Sequence, residues 1–189
     1  MEAIEVTEMK KNSNNKEYVL EQVAKQGKLL EFASPELQDD EEVVKRALEQ
    51  DGEAMEFASD RLKDNKDLML LAIKGAPWTA CYASERLSAD KDVILASVET
   101  YGQTLYYASE DLRDDEEVVK KAVSNKGIIV KYASLRLRNN KEIAEIAVKQ
   151  NKVAYHYLSD EMKRDEDINA LLRIKMFLKN KTIHFCKQY

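Results

Sequence analysis

Apolar residues return along this chain in neighbouring pairs set one helical turn apart. Val43, Val44, Ala47 and Leu48 form one set, Val93, Ile94, Ser97 and Val98 a second, and Val118, Val119, Ala122 and Val123 a third. Spacing of i, i+1, i+4, i+5 marks one face of an α-helix. Upstream of the sets runs a column of Asp or Asn: Asn15, Asp40, Asn65, Asp90, Asp115, Asn140 and Asp165. Such side chains accept hydrogen bonds from the free N–H groups of a first helical turn. Two positions later, Glu17, Glu42, Asp67, Asp92, Glu117, Glu142 and Asp167 put negative charge at the positive end of the helix dipole. The pattern predicts a helix opening every 25 residues.

Gly27, Gly52, Gly102 and Gly127 are expected to end these helices in the left-handed conformation that glycine adopts without steric cost. Gly75 is expected to end the third one early, with Pro77 suited to the first turn of the next. A second, shorter helix is predicted, over residues 53–59 in the second unit. It ends in an aromatic-Ala-Ser triplet that recurs without slippage: Phe32-Ala33-Ser34, Phe57-Ala58-Ser59, Tyr82-Ala83-Ser84, Tyr107-Ala108-Ser109 and Tyr132-Ala133-Ser134, with Tyr157-Leu158-Ser159 as a weaker sixth copy. The recurring Ala allows close helix approach, and the recurring aromatic reads as packing between units. Three residues after each Ser stands Leu37, Leu62, Leu87, Leu112, Leu137 or Met162, which predicts a Ser-capped extra turn anchored by an apolar side chain.

A helical hairpin of this size cannot bury its apolar face alone, so the units must stack. The expected fold is all-α: an α-solenoid, or superhelical array, of about six two-helix repeats. The leucine-rich-repeat signature is missing, and nothing alternates as a strand would. The organisation expected is a mobile lead-in over residues 1–14, six tandem repeats over 15–164, and an atypical capping helix with a basic tail over 165–189.

The composite motif aromatic-Ala-Ser-x-x-Leu-(Arg/Lys)-x-(Asp/Asn)-x-(Glu/Asp)-Val is clearest in Tyr107 to Val119 and in Phe57 to Leu68. Over about residues 15–169 it resembles a bacterial and protist repeat family catalogued as a domain of unknown function (DUF4116). The resemblance implies a repeat fold and brings no catalytic residue, cofactor or agreed activity. Members of that family occur in secreted bacterial effectors and large multi-repeat proteins, which points to interaction work.

Charge narrows the partners. The net charge is −5, yet Arg173, Lys175, Lys179, Lys181 and Lys187 all follow the last acidic residue, which leaves residues 1–167 at −10. An acidic body repels phosphate, so nucleic acid is not an expected partner of the array. Cys81 and Cys186 make neither a disulfide framework nor a paired metal motif. The acidic N-terminus lacks the layout of a signal peptide, and no apolar run is long enough to span a bilayer. A cytoplasmic location is expected, with secretion without a cleaved leader, as an effector, as the alternative.

Catalytic chemistry finds no footing. Cys81 and His156 share a column three units apart, which at about 10 Å per step separates them by about 30 Å. His184 and Cys186 read as ordinary tail residues. The clusters Asp39 to Glu42 and Asp114 to Glu117 are explained by capping and lack the spacing of a calcium loop. No catalytic residue, metal or cofactor is expected.

One face remains. The columns of Glu53, Glu56 and Asp60 lie opposite the recurring Ala. They are polar in the first two units (Lys28, Glu31, Pro35, then Glu53, Glu56, Asp60) and turn apolar or aromatic later, at Trp78, Cys81, Tyr106, Ile128, Leu135 and Val153, punctuated by Lys131 and His156. These residues are the expected site for a protein or peptide partner. Burial by the tail or by a weak homodimer is the competing reading. Another is an adaptor that meets an anionic membrane or acidic partner through its basic tail.

Overall fold

The structure, a computed structural model, describes residues 2–173. The described residues are helical throughout their ordered elements. They fall into two compact units that meet between Thr100 and Tyr101, and the boundary cuts the fourth repeat just after its long helix, Lys91–Val98.

Each repeat opens on a long α-helix: Lys16–Val23, Glu41–Gln50, Lys66–Gly75, Lys91–Val98, Glu116–Asn125 and Lys141–Gln150. The Asp/Asn column caps them as predicted. Asp40 accepts from the N–H groups of Glu42 and Val43, Asn65 from Asp67 and Leu68, and Asp90 from Asp92 and Val93. Asn15, Asp115 and Asn140 each accept one such bond. The predicted apolar stripe is buried in every one of these sets, Ser97 included. Long helices of consecutive repeats pack side by side within each unit, as do the short segments that follow them, so each unit is an α-solenoid stack.

The second helix of the repeat is a 3₁₀-helix, not an α-helix. It spans Gly27–Phe32, Gly52–Phe57, Pro77–Tyr82, Gly102–Tyr106, Gly127–Tyr132 and Lys152–Tyr157. The buried positions explain the choice. Gly27, Leu30 and Ala33 are buried at intervals of three, as are Gly52, Met55 and Ala58, and Gly127, Val130 and Ala133. A helix of three residues per turn keeps such a row on one line, whereas an α-helix would rotate it away. The chain then becomes extended at the recurring Ala (φ −67°, ψ 153° at Ala58) and enters the Ser-capped turn, such as Asp60–Lys63. Ser59, Ser84, Ser109, Ser134 and Ser159 accept from the N–H groups of Leu62, Leu87, Leu112, Leu137 and Met162.

The glycines do a different job from the one expected. Among the described residues no glycine has positive φ. A Cβ at Gly27, Gly52, Gly102 or Gly127 would instead fall well inside 3.0 Å of the carbonyl oxygen of Ala47, Ala72, Ala122 or Ala147, on the long helix of the following repeat. Each glycine is the point where one repeat touches the backbone of the next. The side chains of Gln50, Asn125 and Gln150 accept from the N–H groups of Gly27, Gly102 and Gly127 at 2.5, 3.0 and 2.6 Å. In the third repeat Pro77 takes the glycine position, and Ser97, in place of the alanine, donates to the Pro77 carbonyl at 2.7 Å. Gly75 does not shorten its helix, which has the same ten residues as Glu41–Gln50.

Polar side chains stitch the repeats together. The hydroxyls of Ser59, Ser84 and Ser134 donate to Asp39, Asp64 and Asp114 of the preceding repeat. Arg61, Arg86 and Arg136 bond the same carboxylates at 2.9–3.0 Å and also reach the Asp backbone carbonyl. The sixth repeat preserves the step with donor and acceptor exchanged: Asn139 accepts from Ser159 and donates to Glu161 at 3.0 Å. Ala89 occupies the acidic position once, and a methyl group accepts nothing.

A second ladder runs along the helix starts. Lys16 bridges Asp40 and Glu42, Lys66 bridges Asp90 and Asp92, and Lys141 bridges Asp165 and Asp167, all within 2.6–3.0 Å. In sequence, Lys at the first helical position (16, 66, 91, 141) is always followed one repeat later by an Asp cap, and Glu (41, 116) by an Asn cap. Like charges are thereby kept off facing positions.

Both ends of the described residues carry a helix. The lead-in is a helix, Glu2–Lys11, whose Met9 is fully buried and which packs on Gly27–Phe32. At the other end Asp165 accepts from the N–H groups of Asp167 and Ile168, residues 166–173 are helical, and Ile168 is buried. The basic tail beyond Arg173 lies outside the described residues.

Two outcomes are expected. Gly52→Ala should destabilise by about 1–3 kcal/mol through overpacking, whereas Gly75→Ala, whose Cβ would meet only Gly52 atoms at 3.3 Å or more, should stay within about 1 kcal/mol of wild type. Urea unfolding of the two variants checks this. The Ser–Asp–Arg ladder sets the acid limit. Hydrogen bonds from Ser59, Ser84 and Ser134, and then from the arginines, hold Asp39, Asp64 and Asp114 below the usual aspartate range. A folded-state pKa below the unfolded one contributes stability above the unfolded value, near 3.9, which is lost as pH falls through the folded value. Melting temperature should therefore drop below about pH 4, and Asp39→Ala/Asp64→Ala should lower it at pH 7 and flatten the acid-side fall.

Candidate functional site

In a 3₁₀-helix residues three apart eclipse one another, so the columns of Lys28 and Glu31 form one outward row through the repeats of each unit. The Asp60 column does not belong to that row. Leu135, the most exposed large apolar residue at 76%, stands on a separate element, the Ser-capped turn Leu135–Arg138. The row changes character along the chain. In the first two repeats it is salt-bridged: Lys28 pairs with Glu53 and lies 4.0 Å from Asp51.

Trp78 and Cys81 carry the row in the third repeat, within the first unit. Trp78 is 43% exposed, and Cys81 is partly buried. Burial pushes the Cys81 thiol above its ordinary pKa, and nearby Glu56 pushes in the same direction. Burial likewise raises the adjacent Tyr82 phenol to about 12, again with help from Glu56. A thiol held protonated is a poor nucleophile.

In the second unit the structure brings Tyr106, Ile128 and Lys131 together. They line one cleft of about 450 Å³ with Tyr101, Gln103, Tyr107, Lys126, Ile129 and Tyr132. The Tyr106 ring lies 5.0 Å from that of Tyr107, edge to face, and 4.9 Å from that of Tyr132. The Lys131 ammonium sits 4.6 Å above the Tyr132 ring and 6.0 Å from that of Tyr157, which holds the cation without neutralising it. Lys126 donates to the Gln103 amide oxygen at 2.7 Å. No Asp or Glu lines the cleft.

Val153 and exposed His156 lie on the next segment, Lys152–Tyr157, which packs against Gly127–Tyr132 but does not line the cleft. The His156 ring is 6.0 Å from that of Tyr155. His184 and Cys186 lie outside the described residues. A second groove, lined by Glu21, Lys25, Glu42, Lys45, Arg46 and Glu49, has its charges partly paired within itself, Lys25 with Glu21 and Arg46 with Glu49.

The sequence reading missed Lys126 and misjudged Tyr107. The recurring aromatics were expected as packing residues, and Phe32, Phe57 and Tyr82 do pack on the first unit's core. Tyr107 is 46% exposed, because its 3₁₀-helix stops a residue early at Tyr106 and the chain turns at Tyr107 (φ −91°, ψ −11°). The signal for Lys126 was a reversal of sign in its column, where the second repeat has Asp51.

Comparison with known families accounts for the architecture. The model for the domain of unknown function DUF4116 matches residues 15–63, 40–88, 65–113, 90–138 and 115–163. Each window runs from a helix cap to the end of a Ser-capped turn one repeat later, so the family unit is two consecutive repeats. The chain belongs to the DUF4116 family. No curated protein and no solved structure matches it. For this DUF4116 protein, no helix among the described residues is long and apolar enough to cross a membrane, and no group of three or more His, Cys, Asp or Glu is placed to hold a metal ion.

In a Cys186→Ser background Cys81 should react with a disulfide reagent at pH 8 more slowly than a free model thiol, and its rate should keep rising above pH 9, beyond the ordinary cysteine range of about 8–9. A rate matching the model thiol would contradict the buried environment.

Proposed function

We propose that this chain is a non-enzymatic repeat module that binds a partner protein or peptide along the outward rows that its 3₁₀-helices form within each unit. The observation that carries this is the distribution of exposed apolar surface. On the row, Trp78, Tyr106 and Val153 are each 43–55% exposed, and two of these three stand in the second unit. The same repeat scaffold fills the row with Lys28, Glu31, Glu53 and Glu56 in its first two copies, so folding does not demand apolar residues there. Exposed aromatic and aliphatic side chains on a face that need not carry them are what a partner buries. Lys131 and His156 would fix register through polar contacts at the rim. The reading calls on no cofactor.

Affinity capture should compare the wild-type chain with a Trp78→Ser/Tyr106→Ser/Val153→Ser variant and with a Glu21→Ser/Lys45→Ser/Glu49→Ser control on the other groove. Losing central apolar anchors costs about 2 kcal/mol or more, so the first variant should retain its partners at least tenfold less well. The control should match wild type. Equal recovery by all three would remove the proposal.

A further inference from the structure

Three outward columns, read down the repeats, show a change of sign. They hold Gln26, Lys28 and Glu31 in the first repeat and Asp51, Glu53 and Glu56 in the second. They hold Tyr101, Gln103 and Tyr106 in the fourth, Lys126, Ile128 and Lys131 in the fifth, and Asn151, Val153 and His156 in the sixth. In the first unit the lone cation, Lys28, is answered by Glu53 and Asp51. In the second unit the same positions carry no acid at all. Lys126 meets only an amide oxygen and Lys131 only tyrosine rings, within a cleft lined by four tyrosines. Residues 1–167 as a whole carry ten more acidic than basic side chains, so two lysines left without carboxylates stand against the trend of the chain.

From this we infer that the cleft of the second unit is a docking site for an acidic peptide segment that also carries an aromatic or aliphatic residue. The inference rests on the partner-binding reading and specifies the partner's chemistry. Carboxylates of the segment replace the missing acids opposite Lys126 and Lys131. Its apolar side chain packs onto Tyr106, Tyr132 and Ile128, whose rings and methyl groups already line the cleft. The outward row continues to Val153 on the neighbouring segment, so an extended chain finds further apolar contact there, which a small anion does not use. A second copy of this protein fits less well, since two chains that each carry a net −10 over residues 1–167 repel one another.

The test is selection of random dodecapeptides displayed on phage against the immobilised full-length chain, followed by anisotropy titration of an enriched, fluorescently labelled peptide. The expected result is a set rich in Asp and Glu with at least one Phe, Tyr, Leu or Ile. Binding should weaken at least tenfold in Lys126→Glu/Lys131→Glu, as expected for charge reversal at a complementary contact, and should fall with added salt. Selection on that variant should yield basic peptides instead. The milder Lys126→Gln/Lys131→Gln, with its melting temperature compared with wild type, separates lost charge from lost fold. Peptides without acidic bias, or acidic peptides held equally by the variants, would overturn the inference and leave the binding-module reading standing. Lysine-dependent binding of phosphatidylserine vesicles with no peptide enriched, or self-association of the chain through the cleft, would overturn it too. If no peptide is enriched and capture also shows no row-dependent partner, both readings fall.

Discussion

Each repeat comes so close to the next that a glycine Cα rests against a helix carbonyl oxygen. At Gly27, Gly52, Gly102 and Gly127 even a methyl group has no room, because the oxygen of Ala47, Ala72, Ala122 or Ala147 already fills the space. That contact fixes the distance between successive repeats. It also explains the alanine on the facing helix and the amide side chain of Gln50, Asn125 or Gln150 that accepts the glycine N–H. Within each unit, with the spacing set by backbone, the apolar stripes of adjacent long helices pack together, and a repeat too small to fold alone shares its core with its neighbours. The period of the sequence has no slack because the contact has none.

Register along the stack is then a matter of charge. A Lys at a helix start is matched in sequence to an Asp cap on the following repeat, and a Glu to an Asn cap, so the steps within each unit avoid facing like charges. These bridges are exposed, and each one contributes little by itself. Their value is discrimination, since a repeat stacked out of order sets Glu against Asp. The Ser–Asp–Arg links work the same way, and the sixth repeat's Asn139–Glu161 pair keeps the geometry while exchanging the partners' roles.

Because spacing and register are settled on the inner face and at the edges, the outer row of the 3₁₀-helices is free to vary. The row uses that freedom: salt-bridged in the first two repeats, aromatic and then basic in the second unit. Repeat proteins acquire binding specificity in this way, by changing residues that the scaffold does not need.

The sequence alone determined the repeat, the cap of each long helix, the buried stripe and the Ser-capped turn, because all of these depend on residues within one helical turn of each other. It also placed Tyr106, Ile128 and Lys131 on a shared face, since one column follows another at a fixed interval. It did not reveal that the second helix is 3₁₀, because a Gly, a larger apolar residue and an Ala at intervals of three mark that period only once all three are seen to be buried. It assigned the glycines to a local backbone role, whereas their neighbour lies 20 residues away in the chain. Only the tertiary structure decided that Tyr107 faces outward, that Leu135 leaves the row, and that Lys126 joins Lys131 in a cleft without acids. The first two depend on where each 3₁₀-helix stops, and the last on which atoms of another repeat stand opposite, a distance in space that a pattern along the chain does not encode.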